Sequence, residues 1–198
     1  MRPVATRRAL IKDAIGLAAG ASLAAAVAPA GAQAAAGTQS GALSHALLTE
    51  RVAVITYRQA LSRNVLSAGA SAQLRLLLAQ ELQHVARLER ALAGLGTPVP
   101  SAPADIAAAQ AILSQNNIST SLTGISTQHD ALRLLIDVES LTEGAYFTAI
   151  PQLVHPALIR LSVELMGSDA QHWTVLSGIQ HDGDVVLSVP YPFVQGTS

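Results

Sequence analysis

The chain has 198 residues, a formal net charge of −1, no cysteine and 50% hydrophobic residues. The missing cysteines exclude disulfides, thiolate catalysis, iron–sulfur clusters and cysteine-type zinc sites, and the lack of a basic surplus excludes the electrostatic footprint of a nucleic-acid binder. Aromatic residues are only 3% and alanine and leucine dominate, so helix formers outweigh strand formers and an all-α fold is expected.

The chain opens with Arg2, then Thr6-Arg7-Arg8-Ala9-Leu10-Ile11-Lys12, then a weakly apolar alanine- and glycine-rich stretch over 14–28. Pro29 closes it, and Ala32-Gln33-Ala34 offers a small-x-small cleavage site. The apolar stretch is shorter than the ~20 residues of a membrane span. Charged, apolar and small residues in that order read as a signal peptide. The arginine pair resembles a twin-arginine export motif, which implies passage out of the cytoplasm in a folded state, to the periplasm or beyond. An ordinary secretory signal and an uncleaved anchor are the other readings. With 1–36 taken as signal peptide and linker, the rest carries eight basic and twelve acidic residues and no further membrane span.

A flexible linker is expected over 37–41. The first predicted helix covers 42–66, where Leu43, Leu47, Val54, Leu61 and Val65 recur at helical spacing. Ser71 is the expected N-cap of a second helix that runs to about Leu92, with Gly94 and Gly96 as its stop. The 32 residues from Gly96 to Thr127 are too long for a tight turn, and a short helix is expected within them over 105–114. A third long helix is expected over 128–153, with Pro151 ending or bending its last turn. Pro156 starts a fourth helix that reaches Ser177, with His155 as a possible cap and Gly178 as stop. The tail, 179–198, reads as an extended segment lying on the surface of the helices.

Glu81-Leu82-Gln83-His84 places a carboxylate and an imidazole on nearly one face of the second helix, about 300° of turn apart. Asp169-Ala170-Gln171-His172 repeats the pattern 88 residues later. Upstream, Glu50 and Tyr57 are repeated 89 residues later as Glu139 and Tyr146. Seven residues is close to two turns, so each glutamate shares a face with its tyrosine. The one-residue difference in offset falls in a turn, where length varies freely. His45, His129, His155 and His181 lack this spacing and read as surface or capping residues. Glu89 and Glu164 read as solvated charges, and Trp173 as packing.

With a Glu on each of two helices, an acid-x2-His on the other two and one long crossover, the chain resembles the exported members of the ferritin-like superfamily. The resemblance covers 42–178 and implies an all-α ferritin-like four-helix bundle with the crossover between the second and third long helices. It implies a dinuclear iron or manganese site held by Glu50, Glu81, His84, Glu139, Asp169 and His172. Tyr57 and Tyr146 would hydrogen-bond the ligand carboxylates. Four carboxylates would neutralise two divalent ions, and neutral imidazoles would complete the set.

Asp169 departs from the pattern: it is one methylene shorter than glutamate, so its expected reach is one ion or none. Glu143 is a candidate extra ligand, though the solvated reading is favoured for a helix-face glutamate. The implied activity is oxidation of ferrous iron or reaction with oxygen or peroxide, as an oxidase, a peroxidase or a manganese-catalase-like enzyme. The alternative is a metal-free bundle with a structural, stress-related or interaction role. A homo-oligomer is compatible with either.

Overall fold

The computed structural model describes the backbone of residues 30–188 and the side chains of residues 37–188. Six α-helices follow in order: α1 (Ala30–Ser62), α2 (Ala68–Gly94), α3 (Ile106–Gln115), α4 (Gln128–Ala149), α5 (Pro156–Gln180) and α6 (Val185–Ser188). No strand occurs among the described residues. The four long helices form the bundle. α1 packs closely on α2 and α4, α4 closely on α5, and α2 and α5 meet along a sparser seam.

Local chemistry sets the helix ends. Ser67 caps α2 by accepting from the Ala70 N–H, one turn before the expected Ser71. Asp105 caps α3 from Ala108 N–H at 2.8 Å. Thr127 and Asp130 form a reciprocal capping box at the start of α4. His155 Nδ1 accepts from Ala157 N–H beside Pro156, which fills the first position of α5. Pro151 lies in a 3₁₀ turn, Ile150–Gln152, so α4 stops at Ala149, short of the expected 153.

Two expectations fail here. The 37–41 linker is helical, inside α1. Two glycines in a helix cost roughly 1 kcal/mol each relative to alanine, and tertiary contacts offset them. Buried Gln39 accepts from the Val154 and His155 N–H groups at 2.9 and 3.1 Å, and Ser40 hydrogen-bonds Thr97 at 2.7 Å. The tail is not extended where it is described. α5 runs on to Gln180, a turn with Asp182 and Gly183 at positive φ follows, and Val185–Ser188 is helical with Asp184 Oδ1 accepting from Val186 N–H. The leader before residue 30 and the tail after 188 lie outside the described residues.

The crossover is held by its own apolar residues. Ala109, Leu113, Ile118, Leu122 and Ile125 are buried in the same cluster as Val52, Tyr57 and Leu134. Each fully buried leucine or isoleucine contributes roughly 1.5–3 kcal/mol, enough to order a connection of this length. A second apolar cluster, with Leu43, Leu47, Leu88, Leu92, Tyr146 and Leu165, fills the other end of the bundle. Between the two clusters lies a layer of buried polar side chains.

Candidate metal centre

That layer holds the six residues of the repeated motifs. Glu50, Glu81, Glu139 and Asp169 are completely buried, and His84 and His172 are 5% and 1% exposed. α1 supplies Glu50, α2 Glu81 and His84, α4 Glu139, and α5 Asp169 and His172. Antiparallel packing brings the two acid-x2-His faces together. The two imidazole rings lie nearly parallel, 5° between planes and 5.6 Å between centroids.

The atoms fall into two groups. Glu50, Glu81, His84 and Asp169 form one, and Glu81, Glu139, Asp169 and His172 the other, with the donor atoms of each group within 4.8 Å of one another. Glu81 and Asp169 belong to both. The shorter side chain of Asp169 therefore reaches both groups, against the expectation of one ion or none. α5 sits close enough to place its carboxylate 3.1 Å from His84 Nδ1. His172 Nδ1 is 2.7 Å from Glu81 Oε1 and 3.5 Å from Glu139 Oε1.

None of these close approaches has hydrogen-bond geometry. Glu50 Oε2, Glu139 Oε2, both oxygens of Glu81 and Asp169, and Nδ1 of both histidines are buried without a hydrogen-bond partner. Unpaired buried polar groups are costly, each by roughly 1–3 kcal/mol and more when charged. Four buried carboxylates call for protons or cations to balance them. The second oxygens of Glu50 and Glu139 and Nε2 of both histidines have outer partners, whereas Glu81 and Asp169 have neither oxygen satisfied.

Those outer contacts cross between the halves. Tyr57 donates to Glu139 Oε1 at 2.5 Å, and Tyr146 donates to Glu50 Oε1. Each tyrosine thus holds the glutamate of the opposite half. The histidines are tied in the same reciprocal manner through their outer nitrogens. Gln80 Oε1 meets His172 Nε2 at 2.6 Å, and Ser168 Oγ meets His84 Nε2 at 3.2 Å and His172 Nε2 at 3.4 Å. Gln80 and Ser168 were not among the residues expected from sequence. A signal existed: each immediately precedes the acid of its motif, so they too are 88 residues apart. An outer partner of this kind turns the inner Nδ1 lone pair toward a metal.

Crowding of acids shifts the ionisations. Burial, then the charges of Glu139 and Glu50, push Glu81 well above the usual carboxylate range. Burial and the charge of Glu50 do the same to Asp169, partly offset by His84. Burial pushes Glu50 up too, but His84, Glu81 and Tyr146 together outweigh it and hold Glu50 below its ordinary value. Burial works against protonated His84, yet Asp169 and Glu50 raise it to about 10. Without metal, the layer thus keeps protons where cations would sit.

Glu143 is outside both groups. It is half-buried on α4, and burial together with the charge of Glu139 raises it to about 7. His45, His129 and His155 are exposed, and His181 closes the C-terminus of α5. Glu89 pairs with Arg51 at 2.8 Å, and Glu164 with Arg87 and Arg160 at 2.6 and 2.9 Å. Trp173 is partly buried on α5.

A family model of the ferritin-like domain matches residues 11–181, most of the chain. The chain belongs to the ferritin-like family. No curated protein and no solved structure matches it. The ferritin-like bundle accounts for the helix order, and its polar layer is a buried Glu/Asp/His cluster compatible with a metal pair. No helix among the described residues is long and apolar enough to cross a membrane.

Proposed function

We propose that this ferritin-like protein holds two divalent ions, iron or manganese, and reacts with ferrous iron, dioxygen or peroxide outside the cytoplasm. One observation carries the reading: six buried side chains fall into two groups of converging ligand atoms, and eight of their donor atoms have no hydrogen-bond partner. An oxygen- and imidazole-rich set of this kind suits iron and manganese. Glu81 and Asp169 would be shared by both ions. Glu50 and His84 would complete one set, and Glu139 and His172 the other. When bound, the pair supplies electrons to an oxidant and Lewis acidity to it. The chain's own part is to fix the carboxylates through Tyr57 and Tyr146, to orient the imidazoles through Gln80 and Ser168, and to exclude bulk water with the flanking apolar clusters. The arginine pair and the apolar stretch of the leader support the extracytoplasmic location. Metal analysis of the full-length chain after anaerobic reconstitution tests the centre. The expected content is about two ions per chain, and wild-type protein that takes up no iron or manganese overturns it. Accumulation of the mature chain outside the cytoplasm, lost in a variant with Arg7 and Arg8 replaced by lysine, tests the location.

A further inference from the structure

α5 packs between α2 and α4, and it turns a different flank to each. Leu165, Asp169, His172 and Leu176 face the core. On the α2 side, Ser168 reaches His84 and Glu164 reaches Arg87, and these four residues line a cleft on the α2–α5 seam. The opposite flank, Val163, Met166, Ala170, Trp173 and Ser177, recurs at spacings of three and four and so lies along α4. α4 turns Ala145, Thr148 and Ala149 toward α1, where they line a second cleft with His45. Its own opposite flank carries Ile136, Ser140, Glu143 and Phe147. The two stripes wall a groove along the outside of the α4–α5 pair. At one end of it, the register that sets His172 beside Glu139 brings Phe147 level with Val163. These two apolar residues are 46% and 48% exposed, with no part of the described chain covering them.

The other end of the groove is where the described chain stops. After α5 the backbone reverses at Asp182 and Gly183, and α6 comes back beside the last turns of α5. Ser177 Oγ donates to the Leu187 carbonyl at 3.0 Å, and Ser188 Oγ lies 3.7 Å from where a Cβ on Gly178 would sit. Ser177 belongs to the α4-facing stripe, so residue 189 starts at the mouth of the groove. Ten residues follow, Val189-Pro190-Tyr191-Pro192-Phe193-Val194-Gln195-Gly196-Thr197-Ser198, without a charge. Each proline favours an extended backbone for itself and its predecessor, and in an extended chain Val189, Tyr191 and Phe193 share one face. The stretch of α5 from Gly178 back to Val163 rises roughly 22 Å. The extended stretch from Ser188 to Gln195 spans roughly the same length, at ~3.1 Å per residue. We propose that residues 189–195 lie in the α4–α5 groove as an apolar strap, antiparallel to α5, with Tyr191 and Phe193 turned to its floor and its far end over Phe147 and Val163. The strap closes the flank on which half-buried Glu143 stands one turn from Glu139. It does so whether or not the inner layer holds metal.

The chain has no cysteine, so cysteine pairs introduced by substitution report on this contact alone. In the full-length chain, Val163→Cys with Gln195→Cys should close a disulfide within one chain about tenfold faster than Leu76→Cys with Gln195→Cys, because the strap holds only the first pair at high effective concentration. Leu76, 59% exposed on α2, is the reference position. Trp173 is the sole tryptophan and belongs to the α4-facing stripe. Ending the chain after Ser188 should shift its emission to the red and raise its quenching by acrylamide. Phe193→Ala should do the same in part, while Phe193→Leu should not. Circular dichroism of each variant reports whether the bundle is kept. Equal closure rates, or a faster Leu76 pair, overturn the strap. Disulfides formed only between chains overturn it too, and make a second copy the occupant of the groove. A tryptophan signal untouched by the truncation overturns it even where a cysteine pair fails to fold.

Discussion

In the α1–α2 half, the acid of the acid-x2-His motif is Glu81, preceded by Gln80. In the α4–α5 half the corresponding residues are Asp169 and Ser168. Despite these exchanges the inner layer is close to symmetric: each acid joins both groups, each tyrosine holds the opposite glutamate, and each preceding residue reaches the opposite histidine. Away from the layer the halves diverge. Val54, buried on α1, answers to half-buried Glu143 on α4, and Arg87 answers to Val175. Constraint is therefore concentrated where atoms converge. Four carboxylates packed together tolerate little freedom in placement, whereas a solvent-facing position can change charge at small cost.

The strongest way to break the symmetry is to remove a shared acid. Glu81→Ala takes one ligand from both groups and should weaken metal binding by more than about 100-fold, beyond the 10–100-fold typical of an outer partner. Glu50→Ala touches one group and should leave the other able to bind. Calorimetric titration with Mn²⁺ separates the two outcomes.

The next largest effect is on pH dependence. Glu81 and Asp169 are raised when folded, so the native state holds protons that the unfolded chain releases. Their contribution is present at low pH and is lost as pH rises above the ordinary carboxylate values near 4. His84, raised to about 10, contributes stability that is full below its ordinary value of 6.5 and is lost as pH climbs toward 10. Glu50 has the opposite sign, because its lowered value contributes stability that is lost as pH falls through it. The melting temperature of the metal-free protein should therefore peak in mild acid and fall toward alkaline pH. Metal displaces these protons, so loading should flatten the alkaline fall, and metal affinity should rise with pH. A metal-free profile that rises steadily to pH 9 would contradict the assignment.

Tyr57→Phe and Tyr146→Phe each strand a buried carboxylate oxygen. Each should cost about 1–3 kcal/mol in urea unfolding of the metal-free protein. Near-equal costs would confirm that the cross-bracing is symmetric, and unequal ones would show which half is more strained. Asp169→Glu restores the residue type of the other half, but Asp169 already reaches both groups. The added methylene should then cost about 1 kcal/mol of stability through overpacking, with no gain in metal affinity. Smallest of all, Glu143→Gln should leave metal content unchanged, because Glu143 lies outside both groups.

The four long helices were legible because apolar residues recur at helical spacing and because Pro156, Thr127 and Gly94–Gly96 punctuate them. The six inner residues stood out because a motif repeated at a fixed offset is far less accidental than a single copy. The 37–41 stretch was not legible, since its glycines signal a break while the contacts that keep it helical, from Gln39 to Val154 and His155, join residues 115 and 116 positions apart. Gln80 and Ser168 carried the repeat's offset, but a glutamine and a serine share no chemistry that a motif search would pair. By itself the sequence determined the helices, the repeat and the identities of the polar side chains, because these depend on local spacing. Tertiary structure alone decided that Asp169 reaches both groups, that each tyrosine serves the other half's glutamate, and that a charged cleft opens on one end of the seam. The tyrosine contacts depend on how α1 packs on α4 and the other two on how closely α2 and α5 approach, distances set by the packing of the whole bundle.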